Sequence, residues 1–264
     1  MADPRSNPPS CWSSPVNIIV CVKRVPDTET RIRIGPGGTN IDPDGVKYVV
    51  SPYDEFAVEA ALRTKEGAEA GEVTVVTLGD TASQEALRSS LAMGADRAVL
   101  LEGEVTPDGL ATARALAAEI REHDAPLVLL GVKAADDDQQ QVGPMLAELL
   151  GRPCATAVSN FSVEGDTVTC TREVEGGRET VKLSLPAILT VTKGEFEPRY
   201  ASLKGIMAAK RKPLETKPAQ VAESRLRVES MELPPERDAG RIVGEGPDAA
   251  TELVRLLREE ANVL

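Results

Sequence analysis

The sequence predicts an α/β fold in which helices pack on both faces of a doubly wound, mostly parallel sheet. Short unbroken apolar runs, typical of strands buried on both faces, alternate along the chain with longer segments of helical periodicity. Of the 264 residues, 41% are apolar but only 3% are aromatic, which suits small aliphatic side chains packed between helices and a sheet. A chain of this length can form one large core, or one domain with an appendage.

The first part of the chain carries this alternation of strands and helices. Apolar strands are predicted at 16–22, 72–79, 97–102 and 126–130, and helices at 51–67, 81–94, 107–122 and 145–151. Between the first strand and the first helix, the sequence GPGGTN has the composition of a phosphate-binding glycine loop. No helical pattern follows it, so we expect a hairpin turn there instead.

The start of the first predicted helix is marked by a capping sequence. Ser51 is expected as the N-cap, Pro52 occupies the first helical position, and Asp54 lies three residues beyond the serine, as in a capping box. The positive end of the helix dipole would then point toward the sheet edge, where it can bind an anion. From the residues alone, a well-capped helix without a ligand is an equally good interpretation.

A polar loop follows the fourth strand. Gly131 ends the apolar run, six acidic and amide residues occupy 136–141, and the helix after them ends at Gly151. A strand, a loop and a helix in this order place the loop at the carboxyl edge of a parallel sheet, where α/β proteins bind ligands. Its amides and Gln side chains can hold a ribose, an adenine or a phosphate. The alternative is a solvated acidic turn that only breaks the strand.

The second part of the chain changes character. Alternating segments joined at the turn signals 164–166 and 175–177 predict antiparallel strands added to the same sheet. A basic stretch without strong periodicity follows at 197–212. From 213 to 237 the chain is rich in proline and charge, so we expect an arm that needs a partner's surface. A last helix is predicted at 247–263.

Three segments are therefore predicted along the chain. They are a disordered leader at 1–15, an α/β domain at 16–212 that includes the basic stretch, and an arm with a terminal helix at 213–264. The apolar face of that terminal helix is predicted to contain Ala250, Leu253, Val254, Leu257 and Ala261.

The composition restricts the partners of the chain. A net charge of −12 argues against nucleic acid, which is bound through clustered Lys and Arg. No run approaches the about 20 apolar residues of a membrane span. The N-terminus lacks the apolar core of a signal peptide, so a cytoplasmic location is expected. Neither the four cysteines nor His123, the single histidine, belongs to a recognisable set, so no catalytic or metal-binding residue is predicted.

Several segments resemble the β subunit of electron-transfer flavoproteins. They are VKRVPDTETRIRI after the first strand, SLAMGADRAVLL in the second helix and third strand, and GVKAADDDQQQVGP around the polar loop. TREVEGGRETVKLSLPAILTV, followed by EPRYASLKGIM, is similar to the most diagnostic pattern of that family. The resemblance covers 17–211 closely and the remainder more loosely. It implies an adenine-nucleotide-binding, Rossmann-like α/β fold.

The resemblance also implies a function. In this family the β subunit pairs with an α subunit, which makes most of the contacts to a redox-active FAD. The β subunit covers that FAD and usually carries an AMP with a structural role. The resemblance thus implies an electron carrier and not a self-sufficient enzyme. Electrons would come from flavin dehydrogenases of the acyl-CoA dehydrogenase type, as in fatty acid oxidation, and pass to a quinone oxidoreductase.

Two sets of binding residues are implied when the family's positions are carried over to this sequence. The AMP contacts would be Cys21, Ser51, Pro52, Tyr53, Asp54, Leu78, Gly131, Val132, Lys133, Ala134, Ala135, Asp136, Asp137, Asp138, Gln139, Gln140, Gln141 and Val142. The residues that dock the dehydrogenase would be Arg199, Tyr200, Leu203, Ile206 and Met207. Leu203 would insert into a partner pocket, and the alternative is that it packs onto its own core.

Two other functions compete with this one. Some β subunits bind a second FAD in place of AMP and split electron pairs between two acceptors; their loop resembles DGDTAQVGP. This chain has Asp137 at the Gly position and Gln139 at the Thr position, and larger side chains there crowd an extra flavin. A stand-alone nucleotide-binding regulatory module is of a different class, but it needs neither the arm nor the basic stretch.

Overall fold

A computed structural model describes residues 16–68, 70–106, 108–235 and 239–264 of the protein. The chain divides into two compact units, Met1–Ser230 and Met231–Leu264. The predicted leader at 1–15 lies outside the described residues, as do Pro107 and Arg237, at which predicted segments begin or end.

A large sheet forms the centre of the first unit. Its strands are β1 (Val16–Cys21), β4 (Gly71–Gly79), β5 (Arg97–Glu102), β6 (Leu127–Gly131), β7 (Cys154–Glu164), β8 (Thr167–Val174), β9 (Gly177–Ser184), β10 (Ala187–Val191) and β11 (Leu214–Pro218). In the described part of the chain they are arranged in the order β11-β5-β4-β1-β6-β10-β7-β8-β9.

A small antiparallel region follows β1. Strands β2 (Arg24–Pro26) and β3 (Tyr48–Val50) pair with each other outside the large sheet. Between them, the predicted hairpin turn is present as one antiparallel bridge from Ile34 to Ile41. Gly35 N donates to Asn40 O at 2.8 Å and closes the turn.

The centre of the large sheet is parallel and fully buried. Strand β1 lies between β4 and β6, and Val20 pairs with both Val75 and Leu129. These residues are inaccessible to solvent, as expected for strands covered on both faces. The carboxyl ends of β1, β4 and β6 therefore meet at one edge of the sheet.

Helices cover both faces of this sheet, which confirms the doubly wound α/β fold. They are α1 (Pro52–Glu66), α2 (Gln84–Met93), α3 (Gly109–Ile120), α4 (Val142–Leu150) and α5 (Leu203–Ala209). The core on one face contains Leu62 of α1 together with Leu87 and Leu91 of α2. The core on the other face contains Ile120 of α3 and Leu146 of α4.

The strands after Gly151 are antiparallel only in part. Strands β7, β8 and β9 form the predicted antiparallel addition, with turns at Gly165 and Gly176, both of which have positive φ. Strand β10 departs from the prediction, because it runs parallel to β6 and β7 and lies between them. Its five residues are all buried, and a continuous apolar run is the pattern of a parallel central strand.

The predicted arm begins with a strand of the sheet, which corrects the expectation for its first residues. Leu214–Pro218 forms β11 and pairs in parallel with β5. Strand β11 is at the sheet edge, where a proline is tolerated because the outer side needs no hydrogen-bond donor. The basic stretch before it contains the short helix α5, which the absence of strong periodicity did not predict.

The second unit contains the helix α6 (Ala249–Glu259). The predicted apolar face is largely in solvent, since Leu253 is 45% and Val254 is 40% exposed, whereas Leu256 is buried. Across the part of the chain that the structure describes, no helix is both long and apolar enough to span a membrane.

Candidate functional site

A crevice opens at the edge of the sheet where the carboxyl ends of the central parallel strands meet. Of the predicted AMP contacts, it is lined by Cys21, Asp54, Leu78, Gly131, Val132, Lys133, Ala134, Asp137, Gln139, Gln140, Gln141 and Val142. The remaining six, which are Ser51, Pro52, Tyr53, Ala135, Asp136 and Asp138, do not belong to the lining. Residues separated by more than 100 positions in the sequence are thus brought into one site.

Part of this lining was not predicted from the sequence. Lys23, Thr106 and Gly109 also line the crevice. Lys23 follows β1 directly, so the rule that ligands bind beyond the carboxyl ends of parallel strands could have identified it. Thr106 precedes α3 and Gly109 is its first residue, and nothing in their local sequence indicates a binding site.

Asp54 joins the start of α1 to two strand ends. Its carboxylate accepts a hydrogen bond from Lys23 N at 2.7 Å and another from Gly131 N at 2.9 Å. Gly131 must be glycine for this contact, because a Cβ there would lie 2.5 Å from Asp54 Oδ1. Asp54 is only 6% exposed, so the hydrogen bonds from the two amides compensate its carboxylate for the loss of water.

The predicted capping box is therefore wrong. Ser51 does occupy the N-cap position and Pro52 does begin α1, but the Ser51 side chain makes no cap hydrogen bond. Its hydroxyl is buried without a hydrogen-bond partner among the described residues. The Asp54 carboxylate, which a capping box would direct back to Ser51 N, is instead used by the strand-end amides, and Ser51 N donates to Lys23 O at 2.9 Å.

Burial has a large effect on the acidity of Asp54. Loss of hydration raises the pKa of this carboxyl from 3.8 to about 7, although the hydrogen bonds from Lys23 and Gly131 act in the opposite direction. Lys23 and Asp136 are the charged side chains that influence it, and their charges have opposite effects. Asp54 thus changes its protonation near neutral pH, inside the crevice.

Ion pairs hold the polar loop over the crevice. Lys23 Nζ contacts Asp136 Oδ2 and Asp137 Oδ2, both at 2.8 Å, and Lys133 Nζ contacts Asp138 Oδ2 at 2.7 Å. Burial lowers the pKa of Lys23, but its hydrogen bonds to the two aspartates outweigh burial and raise that pKa above its usual value. The two lysines place positive charge at a crevice that carboxylates would otherwise make strongly negative.

The backbone of this loop is strained at two positions. Asp138 has a φ of 52° and Gln140 a φ of 56°, a left-handed conformation that costs residues other than glycine about 1 kcal/mol or more. The ion pairs of Asp138 and its neighbours offset part of that cost. Such strain is concentrated in proteins at ligand-binding and catalytic sites.

The N-terminus of α4 faces the crevice without a side-chain cap. Gln141 occupies its N-cap position and makes no capping hydrogen bond, whereas Asp108 caps α3 by accepting from Leu110 N and Ala111 N. Uncapped amides at a helix start attract an anion. Leu78, Leu116 and Leu130 add apolar side chains to the lining of the crevice. An apolar ring bearing an anionic group suits this combination.

The residues predicted to dock a partner lie on and before α5. Four of them are exposed: Tyr200 by 100%, Leu203 by 79%, Met207 by 58% and Ile206 by 45%. Leu203 therefore does not pack onto its own core. Arg199 differs from these four, because its guanidinium is engaged by the carboxylates of Glu59 and Glu66 in α1.

The sheet and the crevice together define the class of the protein. It is a doubly wound α/β protein whose polar loop and uncapped helix start lie where this class binds ligands, beyond the carboxyl ends of parallel strands. Within the described ranges, no cluster of side chains suited to a metal ion was found.

Comparison with known proteins identifies the family. A family model described as the electron transfer flavoprotein domain matches residues 39–222. The chain is 44% identical over 255 residues to an electron transfer flavoprotein subunit beta of Bradyrhizobium diazoefficiens, covering 94% of this chain and 100% of that protein. Human electron transfer flavoprotein subunit beta is 42% identical over 252 residues, 92% of this chain and 97% of the human one. This chain belongs to the electron transfer flavoprotein family, as a β subunit.

A second bacterial relative agrees with this assignment. The protein of the same name from Syntrophomonas wolfei is 39% identical over 249 residues, 94% of this chain and 98% of that protein. The shared name describes one subunit of an electron-transport flavoprotein and so implies an α subunit as partner.

Asp54→Asn tests the acidity of the buried carboxyl. Because the folded pKa is above the unfolded one, the native state binds more protons between about pH 4 and 7, and stability falls as pH rises through that window. Asn cannot ionise, so the wild type should lose about 2–3 kcal/mol relative to the variant between pH 5 and 8. Urea unfolding of the full chain across this range measures the difference. Parallel pH profiles would show that Asp54 is ionised throughout.

Proposed function

We propose that this chain is the small subunit of a heterodimeric electron carrier. With its α subunit it would cover an FAD held mainly by that subunit, and it would bind AMP structurally in the crevice. Electrons would arrive from flavin dehydrogenases of the acyl-CoA dehydrogenase type and leave to a quinone oxidoreductase. The observation that supports this most directly is the likeness to β subunits over more than nine-tenths of the chain.

The chemistry of the crevice suits AMP. The uncapped amides at the start of α4 and the ammonium groups of Lys23 and Lys133 suit a phosphate monoester. The leucine side chains suit a flat apolar base, and the Gln side chains of the loop can donate to or accept from ribose and adenine. These groups bind and orient a nucleotide, which is what a structural AMP requires. The FAD, when bound, supplies the redox chemistry.

Side-chain volume in the loop favours AMP over a second FAD. Asp137 and Gln139 both line the crevice, where flavin-binding relatives would have the smaller Gly and Thr. Gln139 is also packed against Gln141 through a side-chain hydrogen bond. On the other side, a Cβ at Gly109 would lie 2.8 Å from Gln141 Nε2, so α3 leaves little room for the loop to retreat. The electron-bifurcating alternative would require this packing to open.

Exposed apolar surface supports a subunit over a stand-alone regulatory module. The first unit presents Tyr200, Leu203, Ile206 and Met207 to solvent, and the second presents Leu253 and Val254 of α6. A monomer gains nothing by exposing contiguous apolar side chains, which mark protein-binding sites. Two such surfaces agree with an α subunit and an electron-donating partner.

Flavin content tests the division of labour between the subunits. This chain expressed alone should contain no stoichiometric FAD. The complex with its α subunit should contain one FAD, bound mainly by the α subunit. Absorbance near the flavin bands, with protein quantified by amino-acid analysis, measures the ratio. A lone chain that purifies yellow with one flavin per molecule would contradict the proposal.

Leu203→Ala tests the docking surface. Burial of a leucine in a partner pocket contributes about 1.5–3 kcal/mol, which is a ~10- to 150-fold change in affinity. Electron uptake from the dehydrogenase by the heterodimer should therefore weaken at least about 10-fold, measured as the dependence of rate on heterodimer concentration. FAD content, AMP content and melting temperature should be nearly unchanged. Val174→Ala, another exposed apolar residue, is the control; equal effects of both variants would place docking elsewhere.

A further inference from the structure

The exposed apolar residues at 200–207, here called the docking segment, lie on a stretch that is fixed at both ends. Exposed loops of this kind ordinarily sample many conformations. Here, hydrogen bonds and ion pairs tie the chain to α1 before the segment and to α2 after it. The backbone is thus anchored on both sides of the segment, while the apolar side chains between the anchors face solvent.

At its beginning, the segment is fixed by Arg199. The Nε of Arg199 contacts Glu59 Oε2 at 2.7 Å, and its Nη2 contacts Glu59 Oε1 at 3.1 Å and Glu66 Oε2 at 3.0 Å. The Nη1 donates to Glu66 Oε1. Every nitrogen of the guanidinium is therefore used within the chain. Hydrogen bonds to Glu66 and then to Glu59 raise the pKa of Arg199 further above its usual value, so the charge is permanent.

The carboxylate that receives Arg199 is itself buried. Glu59 is 2% exposed and is also contacted by Arg63 Nε at 2.7 Å. Arg63 extends the same connection to the backbone, because it donates to Glu195 O at 3.0 Å and to Glu197 O at 3.3 Å. A buried carboxylate needs such partners, so two arginines hold the approach to the docking segment on α1.

At its end, the segment is fixed on α2 by two cations. Arg88 Nη1 donates to Ala209 O at 2.6 Å and to Lys212 O at 2.9 Å. In return, Lys212 Nζ donates to Leu91 O at 3.0 Å and to Ala95 O at 2.6 Å. These contacts satisfy carbonyl groups at the ends of α5 and α2, which those helices leave without partners.

The middle of the segment lies directly on α2. A Cβ at Gly205 would be 2.5 Å from Ala92 O, a separation that only glycine permits. Ser202 caps α5 by accepting from Gly205 N at 3.0 Å. The backbone beneath Leu203, Ile206 and Met207 is thus held along its whole length.

We infer that Arg199 serves docking as a positioning residue: through Glu59 and Glu66 it fixes the docking segment in the conformation that a partner binds, without touching the partner. This inference rests on the docking role proposed above for the segment. Its physical basis is preorganisation, since a segment that is already ordered loses less conformational freedom on binding. Releasing one end should therefore weaken docking although no partner contact is removed.

The test uses the intact heterodimer and a dehydrogenase of the acyl-CoA dehydrogenase type. Glu66→Gln removes the charge and one of the two acceptor oxygens that Glu66 offers to Arg199, while Glu59 keeps its partners. Arg199→Gln removes all the guanidinium contacts and leaves only the backbone amide of residue 199, which donates to Glu59 Oε2 at 3.3 Å. Each should raise the KM for the heterodimer about 3- to 10-fold with kcat nearly unchanged. Arg199→Lys should not restore the wild-type KM, because an ammonium cannot bridge two carboxylates as a planar guanidinium does. Arg178→Gln, in the exposed pair with Glu173, is the matched control.

A double-mutant cycle separates positioning from a general loss of stability. Leu203→Ala should raise the KM by a smaller factor in the Arg199→Gln background than in the wild type, because Leu203 acts only from the ordered segment. Backbone hydrogen exchange at 203–208 should be faster in Arg199→Gln and unchanged in the control. Multiplicative effects of Leu203→Ala and Arg199→Gln on the KM would overturn the inference. An unchanged KM for both Glu66→Gln and Arg199→Gln would also overturn it. If Leu203→Ala itself leaves the KM unchanged, the docking proposal fails as well.

Discussion

The carboxylate of Asp54 is the contact on which the arrangement of the site depends. Parallel strands end at one edge of a sheet, where backbone amides need partners. Asp54 accepts hydrogen bonds from two of these amides, Lys23 N after β1 and Gly131 N at the end of β6. It thereby fixes where α1 begins relative to the sheet. Together with the hydrogen bond from Ser51 N to Lys23 O, this contact sets the position of the Ser51 turn against the strand ends that border the crevice.

Helix α1 connects the crevice, at Asp54, with the acidic residues that bind Arg199. At 1.5 Å per residue, Glu66 lies about 18 Å along α1 from Asp54, and Glu59 and Glu66 are two turns apart on one face. That face receives Arg199, so the start of α1 borders the crevice and a later part of the same helix holds the chain next to the docking segment. The proposed role, in which the subunit covers a flavin and presents a surface to other proteins, gains from rigid placement of both.

The parts of the fold that could be predicted are those with a local signal. Buried parallel strands appear as continuous apolar runs, and α1 and α4 have clear ends in Pro52 and Gly151. Strand β11 could not be predicted, because LETKP is polar and its pairing with β5 is an edge contact. Asp54 was misassigned because a capping box is judged from spacing within one turn, whereas its real partners lie 31 and 77 residues away. The role of Arg199 depends on Glu59, 140 residues distant.

We propose that the crevice at the sheet edge holds an adenine nucleotide of the monophosphate kind. The direct measurement is mass spectrometry, with quantification, of the nucleotides released when the intact heterodimer is denatured. We expect one AMP for each FAD, and disruption of the loop at 132–141 should release the AMP while the FAD is retained. Two FAD and no AMP for each heterodimer would contradict it, and would show that the loop opens to admit a second flavin.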